Sequence, residues 1–240
     1  KASNDEIIAR IVFDLKVEDG KIRVINHIFF EKASELGIRQ VLTEALGIKG
    51  DKLNELVQQA KLRPQVKRSL LISSHKITGI NRTTQNMVAH KLQQGLDAGE
   101  GVNELSKRIS STLGSNLQRA RYIARTQTAG AVSTGRHAGM QESGVKLKTW
   151  LSSRDSHVRD SHRTAESRYA DGISLDVPFV LDAGFVMYPG DPSGPAAEII
   201  NCRCVELIKT ADGKSLGLSQ YTNLQFYSLA DMVRDKAITA

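Results

Sequence analysis

From Phe30 onward apolar residues recur at helical spacing: Phe30, Ala33 and Leu36, then Val41, Leu42, Ala45 and Leu46, with Gly47 as the stop. Asp51 is placed to cap a second helix through Leu53, Leu56, Val57 and Ala60. Upstream the pattern is mixed. Ile7, Ile8, Ile11, Val12 and Leu15 share one helical face, whereas Phe13, Leu15 and Val17 alternate with polar residues, as do Ile22 and Val24 across Asp19-Gly20. The expectation there is a helix to about residue 12 and then a hairpin.

The middle of the chain reads as helices. Leu70 to Ile80 is one periodic apolar segment, and Asn81-Arg82-Thr83-Thr84 offers capping side chains for another helix with Met87, Val88, Leu92 and Leu96. Gly95, Asp97 and Gly99 mark its end. Val102, Leu105, Ile109 and Leu113 make the next apolar face, before the turn Gly114-Ser115-Asn116. A further helix from about Leu117 carries Ala120, Ile123, Ala124, Thr128, Ala131 and Val132 on one side. Its small residues Ala124, Ala129, Gly130 and Ala131 let a neighbour approach closely, and Arg125 beside them is expected to be packed and paired.

After Gly144 the period drops to two. Val145, Leu147 and Thr149 alternate with Lys146, Lys148 and Trp150, which predicts a strand with Trp150 as a core anchor. Asp155 is expected to cap a short helix reaching His162 and Ala165. Val177 to Leu181 is extended, because Pro178 pushes the residue before it out of the helical region. The loop from Met187 to Pro195 holds three of the five prolines. Ala196 to Ile208 reads as the last strong strand, and a final helix is expected around Leu229 to Ala237.

Together these elements predict an α+β protein, a mostly helical N-terminal part followed by a small antiparallel β-containing module. Four regions are expected: an N-terminal attachment region at 1–75, a basic helical domain at 76–144, a small α+β module with a Cys-x-Cys strand at 145–210, and a C-terminal tail at 211–240. A hydrophobic fraction of 40% and a charged fraction of 25% suit a globular protein. No apolar run approaches the roughly 20 residues that span a bilayer, so no membrane partner is expected. No signal peptide is read, and a chain beginning at Lys1 is expected to be a piece of something longer.

Charge changes the picture of the middle third. The net charge is +7, yet residues 61–150 carry 15 basic and 4 acidic side chains, while 1–60 carry 9 and 10 and 151–240 carry 9 and 12. A segment of that sign attracts phosphates or an acidic protein surface, with Lys107, Arg108, Arg119, Arg121 and Arg136 as candidate nucleic-acid contacts. A plain solvated helical surface is the competing reading.

Candidate chemistry is confined to the last third. Cys202 and Cys204 are the two cysteines, which is no disulfide framework and fits a reducing compartment. On a strand they share one face about 6.6 Å apart. Two sulfurs on one tetrahedral zinc lie within about 3.8 Å, so the side chains must lean together or the strand must bend. A disulfide between them would be badly strained. His27, His75, His90 and His137 are scattered and read as structural or exposed. No nucleophile elbow, phosphate loop or paired-carboxylate spacing is present.

An ordered set of short elements between Ile80 and Ile208 carries a resemblance. They are Gly79-Ile80-Asn81-Arg82-Thr83-Thr84, Gly95-Leu96, Gly99, Ile123-Ala124-Arg125-Thr126-Gln127, Trp150, Asp155, Val158-Arg159, His162, Met187 to Pro192, and Asn201-Cys202-Arg203-Cys204. The chain resembles the phage Mu F-like minor head protein family, the head morphogenesis proteins of tailed phages. It departs from many relatives in having Gln127 for a glutamate, and Arg159 and His162 where they have Cys-x-x-Cys.

The resemblance implies a non-enzymatic virion protein at the portal vertex or capsid interior, present in the host cytoplasm during assembly. Its implied partners are the portal protein, the capsid protein and packaged double-stranded DNA, with self-association as a further expectation. Because His162 matches a cysteine position of the relatives, it is the implied third ligand beside Cys202 and Cys204, with His157 or Asp155 as the fourth. Two readings of that cluster stand, a structural zinc site or a pair of buried hydrophobic cysteines beside a core histidine. Two functional rivals also stand: a metal-dependent nuclease or hydrolase using the His/Cys cluster, and a delivery module of a phage-derived toxin.

Overall fold

The structure is a computed structural model and describes residues 15–98, 108 and 116–216. The chain divides into two compact units, Lys1–His27 with Ser73–Tyr122, and Ile28–Ile72 with Ile123–Ala240. The class is α+β. Helices α1 (Leu15–Gln40), α2 (Gly50–Leu62), α3 (Pro64–Asp97) and α4 (Asn116–Glu142) precede the antiparallel strands, with a π-helical turn at Val41–Ala45. The apolar face at 102–113 and the helix expected around 229–237 lie outside the described residues.

Several local expectations are corrected. The hairpin across Asp19-Gly20 is instead part of α1, and Val24 is exposed, so the alternation there marks no buried strand face. The proposed cap at Asn81-Thr84 is helix interior: the Thr83 hydroxyl donates to the Gly79 carbonyl at 2.9 Å, four residues back along one unbroken helix. Asp51 sits in the first turn of α2 rather than capping it, where its carboxylate complements the helix dipole.

In the second unit α1 and α4 touch backbone to backbone. A Cβ on Gly135 would stand 1.8 Å from the Ser34 carbonyl oxygen, and one on Gly37 2.1 Å from that of Val132. The close approach therefore falls within about one turn beyond the small residues expected to allow it, which end at Ala131. Of those, Gly130 meets the Gly190 carbonyl of the proline loop, and Ala131 packs with Phe30 and Ala33. Beneath the helices, Ile38, Val41, Leu42, Leu56, Val57, Ala60, Val66, Ala138 and Met140 form an apolar core that Leu175 and Ile208 enter from the β module.

That module has a four-stranded antiparallel sheet in the order β2-β1-β5-β6, made of β1 (Leu147–Leu151), β2 (Ile173–Ser174), β5 (Val205–Lys209) and β6 (Ser215–Leu216). A separate hairpin pairs β3 (Phe179–Leu181) with β4 (Gly184–Val186). Helices α5 (Asp160–Arg168) and α6 (Ala196–Ile199) lie between strands in the sequence. Trp150 is opposite Glu206 and Lys148 opposite Ile208, so these four side chains share one face. Trp150 is buried with Phe179, Leu181, Val186, Ile199 and Tyr169, as expected of a core anchor.

Candidate metal centre

The apolar run read as one strand from 196 to 208 is broken in two. Pro195 opens the single turn α6, Ile200 is exposed, and Asn201 takes a left-handed conformation at φ 58° before β5 starts at Val205. The cysteines thus lie in irregular chain between that turn and β5 rather than within a strand. With this bend the two sulfurs lie within 4.8 Å of each other, where a straight strand would hold the two residues on one face but about 6.6 Å apart.

Helix α4 holds the bend. Arg125 donates to the Asn201 side-chain oxygen at 2.7 Å, and the Asn201 N–H donates to the Thr126 hydroxyl at 2.9 Å. The expectation of a paired Arg125 is met, and Ile123–Gln127 meets Asn201–Cys204 in space. Left-handed backbone is tolerated by asparagine better than by most residues.

The third residue comes from α5. That helix begins at Asp160 after an extended Arg159, not at Asp155. Asp155 instead accepts the His157 N–H at 2.8 Å and pairs with Arg203 at 2.7 Å. In the first turn of α5, His162 is 1% exposed and turns inward with Ala165. Its Nδ1 lies 3.3 Å from Cys204 Sγ and 3.8 Å from Cys202 Sγ, and its ring stacks edge-on to Trp150. His162, Cys202 and Cys204 are the one group of three or more metal-ligating side chains within mutual reach among the described residues. His157 and Asp155 are outside it and exposed.

The residues suit a metal. Zinc bonds of about 2.0–2.1 Å to nitrogen and 2.3 Å to sulfur at the tetrahedral angle place N and S roughly 3.6 Å apart, a value the two Nδ1–Sγ distances bracket. The Trp150 indole N–H is buried without a hydrogen bond of good geometry, and it lies beside Cys204, whose ionised form it favours. In the pair of thiols, the Cys204 S–H and His162 hold the Cys202 thiol well below its ordinary range despite burial. The same contact, with burial, pushes Cys204 up.

Glu198, absent from the sequence reading, completes the cluster from α6. It is buried and accepts from His162 Nε2 at 3.0 Å, Ser161 Oγ at 2.9 Å and the Ala183 N–H at 2.9 Å. Burial pushes its carboxyl up, but these three donors outweigh it and hold it below the usual carboxylate range. The signal for it was one acidic residue inside Ala-Ala-Glu-Ile-Ile, directly before Asn-Cys-Arg-Cys.

A second buried polar cluster also went unread. Glu206 accepts from His137 Nδ1 at 3.0 Å and lies 3.7 Å from Lys148 Nζ, which donates to the Met187 carbonyl at 2.6 Å and stands over the Phe179 ring. Lys148 is 0% exposed, so the face it shares with Trp150 is an inner face. Burial pushes its ammonium down, against the pull of Glu206. Tyr188 seats the proline loop through hydrogen bonds with Ser69 at 3.2 Å and Thr134 at 3.0 Å.

Arg136 belongs here too, and this corrects its place among the nucleic-acid contacts. It is 2% exposed, donates to the Glu206 carbonyl at 3.1 Å, and is pushed by burial down to about 10. Arg119 and Arg121 are on α4 and Arg108 is half-buried, whereas Lys107 lies outside the described residues.

The sequence model of the family described as "Phage Mu protein F like protein" matches residues 86–207. The chain is 30% identical to the minor head protein GP7 of Bacillus phage SPP1 over 132 residues, covering 54% of this chain and 42% of that protein. It is 25% identical to the uncharacterized protein YqbB of Bacillus subtilis (strain 168) over 196 residues, 79% of this chain and 63% of that one. A segment of 137 residues, 53% of this chain, is 29% identical to 26% of the NAD(+)–arginine ADP-ribosyltransferase EFV of Enterococcus faecalis. The chain therefore spans less than two thirds of the length of each of these relatives. No solved structure matches it significantly.

Proposed function

The chain belongs to the phage Mu protein F-like family, and from that premise we propose that it is a structural minor head protein of a tailed phage. It acts in head morphogenesis or genome delivery, inside the capsid or at the portal vertex, with portal protein, capsid protein and packaged DNA as partners. The observation that carries the structural reading is closure of the His162–Cys202–Cys204 cluster. Glu198, His162 and Cys204 stand in the order acid, imidazole, thiol that could also activate a nucleophile. A nucleophile must be reached by its substrate, whereas His162, Cys202 and Cys204 are 1%, 2% and 6% exposed.

The cluster is accordingly assigned to structure. Zinc is the metal that two thiolates and an imidazole suit without redox demands, and it would tie α5 to the turn before β5. When bound it supplies a fixed cross-link and no reaction. His162, Cys202 and Cys204 would hold it, and Arg125 and Thr126 would fix the turn that presents the sulfurs.

DNA contact is assigned to the basic segment at 61–150 through Lys107, Arg108, Arg119 and Arg121. It acts by phosphate neutralisation without sequence preference. Residues 1–75 are assigned to attachment. A second reading, a delivery module joined to a toxin, is favoured by one observation, the similarity to part of a named ADP-ribosyltransferase. The tests are quantitative mass spectrometry of purified DNA-filled heads and incubation of the chain with duplex DNA. The expected results are its presence in heads and salt-sensitive binding without cleavage. Absence from heads overturns the structural assignment, and DNA cleavage lost on His162→Ala with the fold intact makes the protein an enzyme.

A further inference from the structure

Glu198 meets His162 on the side of the ring away from the sulfurs. Besides Nε2, it is approached by an obligate donor, the Ala183 N–H, and by the Ser161 hydroxyl. A carboxylate that takes three such contacts acts as an acceptor, so the imidazole must present a proton at Nε2. A neutral ring with its proton there has its lone pair at Nδ1, and Nδ1 faces Cys204 at 3.3 Å and Cys202 at 3.8 Å. The opposite tautomer would set a nitrogen lone pair against the carboxylate and an N–H where a ligand atom is needed.

The ring is also fixed in orientation. Trp150 packs edge-on against it with centroids 5.0 Å apart, and the Trp150 ring in turn meets Phe179 at 5.1 Å. His162 is thus set in both tautomer and direction before any metal arrives. We propose that Glu198 is a positioning residue for metal binding: it takes the Nε2 proton so that His162 offers Nδ1 to a thiophilic divalent cation beside Cys202 and Cys204. This rests on the metal-site reading above. Carboxylates behind a ligating histidine raise its basicity and fix its ring, and their loss typically weakens metal affinity about 10- to 100-fold.

The experiment is a cobalt(II) titration of the full 240-residue chain, reduced and metal-stripped, read by thiolate-to-cobalt charge-transfer absorption. Far-UV circular dichroism follows the fold. Wild type is expected to develop the band, Glu198→Ala to weaken cobalt affinity by about 10- to 100-fold, and Glu198→Gln, which keeps one acceptor, by less. Nitrogen-15 correlation spectra of the metal-free wild type should already place the His162 proton on Nε2, a signature that a purely structural Glu198 would not dictate. If Glu198→Ala does not fold, the near-isosteric Glu198→Gln decides. Unchanged affinity in the folded variants, or a proton on Nδ1 in the metal-free wild type, overturns the role of Glu198. No thiolate band in wild type overturns the metal site itself, and the inference with it.

Discussion

His137 meets Glu206 through Nδ1 at 3.0 Å, and His162 meets Glu198 through Nε2 at the same distance. Both pairs are buried, and both are within one folded unit. Their surroundings differ. Glu206 is shared with the Lys148 ammonium, and the Arg136 guanidinium binds its carbonyl, so the first pair is embedded among cations supplied by the protein. The second pair has two sulfurs on the free side of the imidazole. The same two residue types therefore make a closed structural knot in one place and a candidate ligand set in the other. What separates them is their neighbours, an ammonium and a guanidinium around Glu206 in the first and two sulfurs at Nδ1 of His162 in the second.

The largest effect that could break this contrast is expected in the first pair. Glu206→Ala leaves Lys148 as an uncompensated buried charge and should cost about 3–5 kcal/mol in urea unfolding. The double replacement Glu206→Leu with Lys148→Met should lose less than Glu206→Ala alone. A loss near zero for Glu206→Ala would mean that the knot carries no charge to balance.

Metal should move only the second pair. With free zinc at about 100 times its dissociation constant, chelation should remove about 2.7 kcal/mol of stability. Cys202→Ser should abolish that chelator sensitivity, and Glu206→Ala should leave it in place. Equal chelator effects in wild type and Cys202→Ser would erase the distinction between the two regions.

A smaller change is expected at the bend that presents the sulfurs. Asn201→Ala puts a residue that tolerates left-handed backbone less well than asparagine at φ 58°, at up to about 1–2 kcal/mol, and removes the contact with Arg125. Asn201→Gly should recover part of that, because only the side-chain contact is then lost. Equal losses for the two variants would show that backbone conformation at Asn201 contributes nothing.

Least of all should change at the surface pair of the same module, where Glu166 accepts from Ser152 and Arg154. Burial pushes its carboxyl up, but those donors and the charge of Arg154 win, so it lies below the ordinary value of 4.5. The folded value being depressed, its contribution is present above about 4.5 and is lost as pH falls through the folded value. Glu166→Gln should flatten stability across that acid range by under about 1 kcal/mol. An unchanged acid limb would remove the pair from the account.

Much of the helical half was legible because 3.6-residue spacing follows burial of one face, as at Ile38, Val41, Leu42, Leu56, Val57 and Ala60. Long continuous helices were harder, since Asn81-Thr84 carries capping residue types that act only where a helix actually starts. The β module misled for a different reason. Lys148 and Glu206 are residue types usually found in solvent, and both are buried here through partners that alternation does not reveal, namely each other, His137 and the Met187 carbonyl. The trio His162, Cys202 and Cys204 was reachable through resemblance and spacing. Its support was not, because Glu198 and Asn201 act through hydrogen bonds that no periodicity encodes.

The most direct measurement is the zinc content of the full chain, purified under reducing conditions without chelators and quantified by mass spectrometry of the element. The account predicts about one zinc per chain in wild type and a loss in Cys204→Ser that leaves the helical circular dichroism in place. Wild-type protein that is folded and carries no zinc, and takes up none when it is supplied, would contradict it and reduce the cluster to two buried cysteines beside a core histidine.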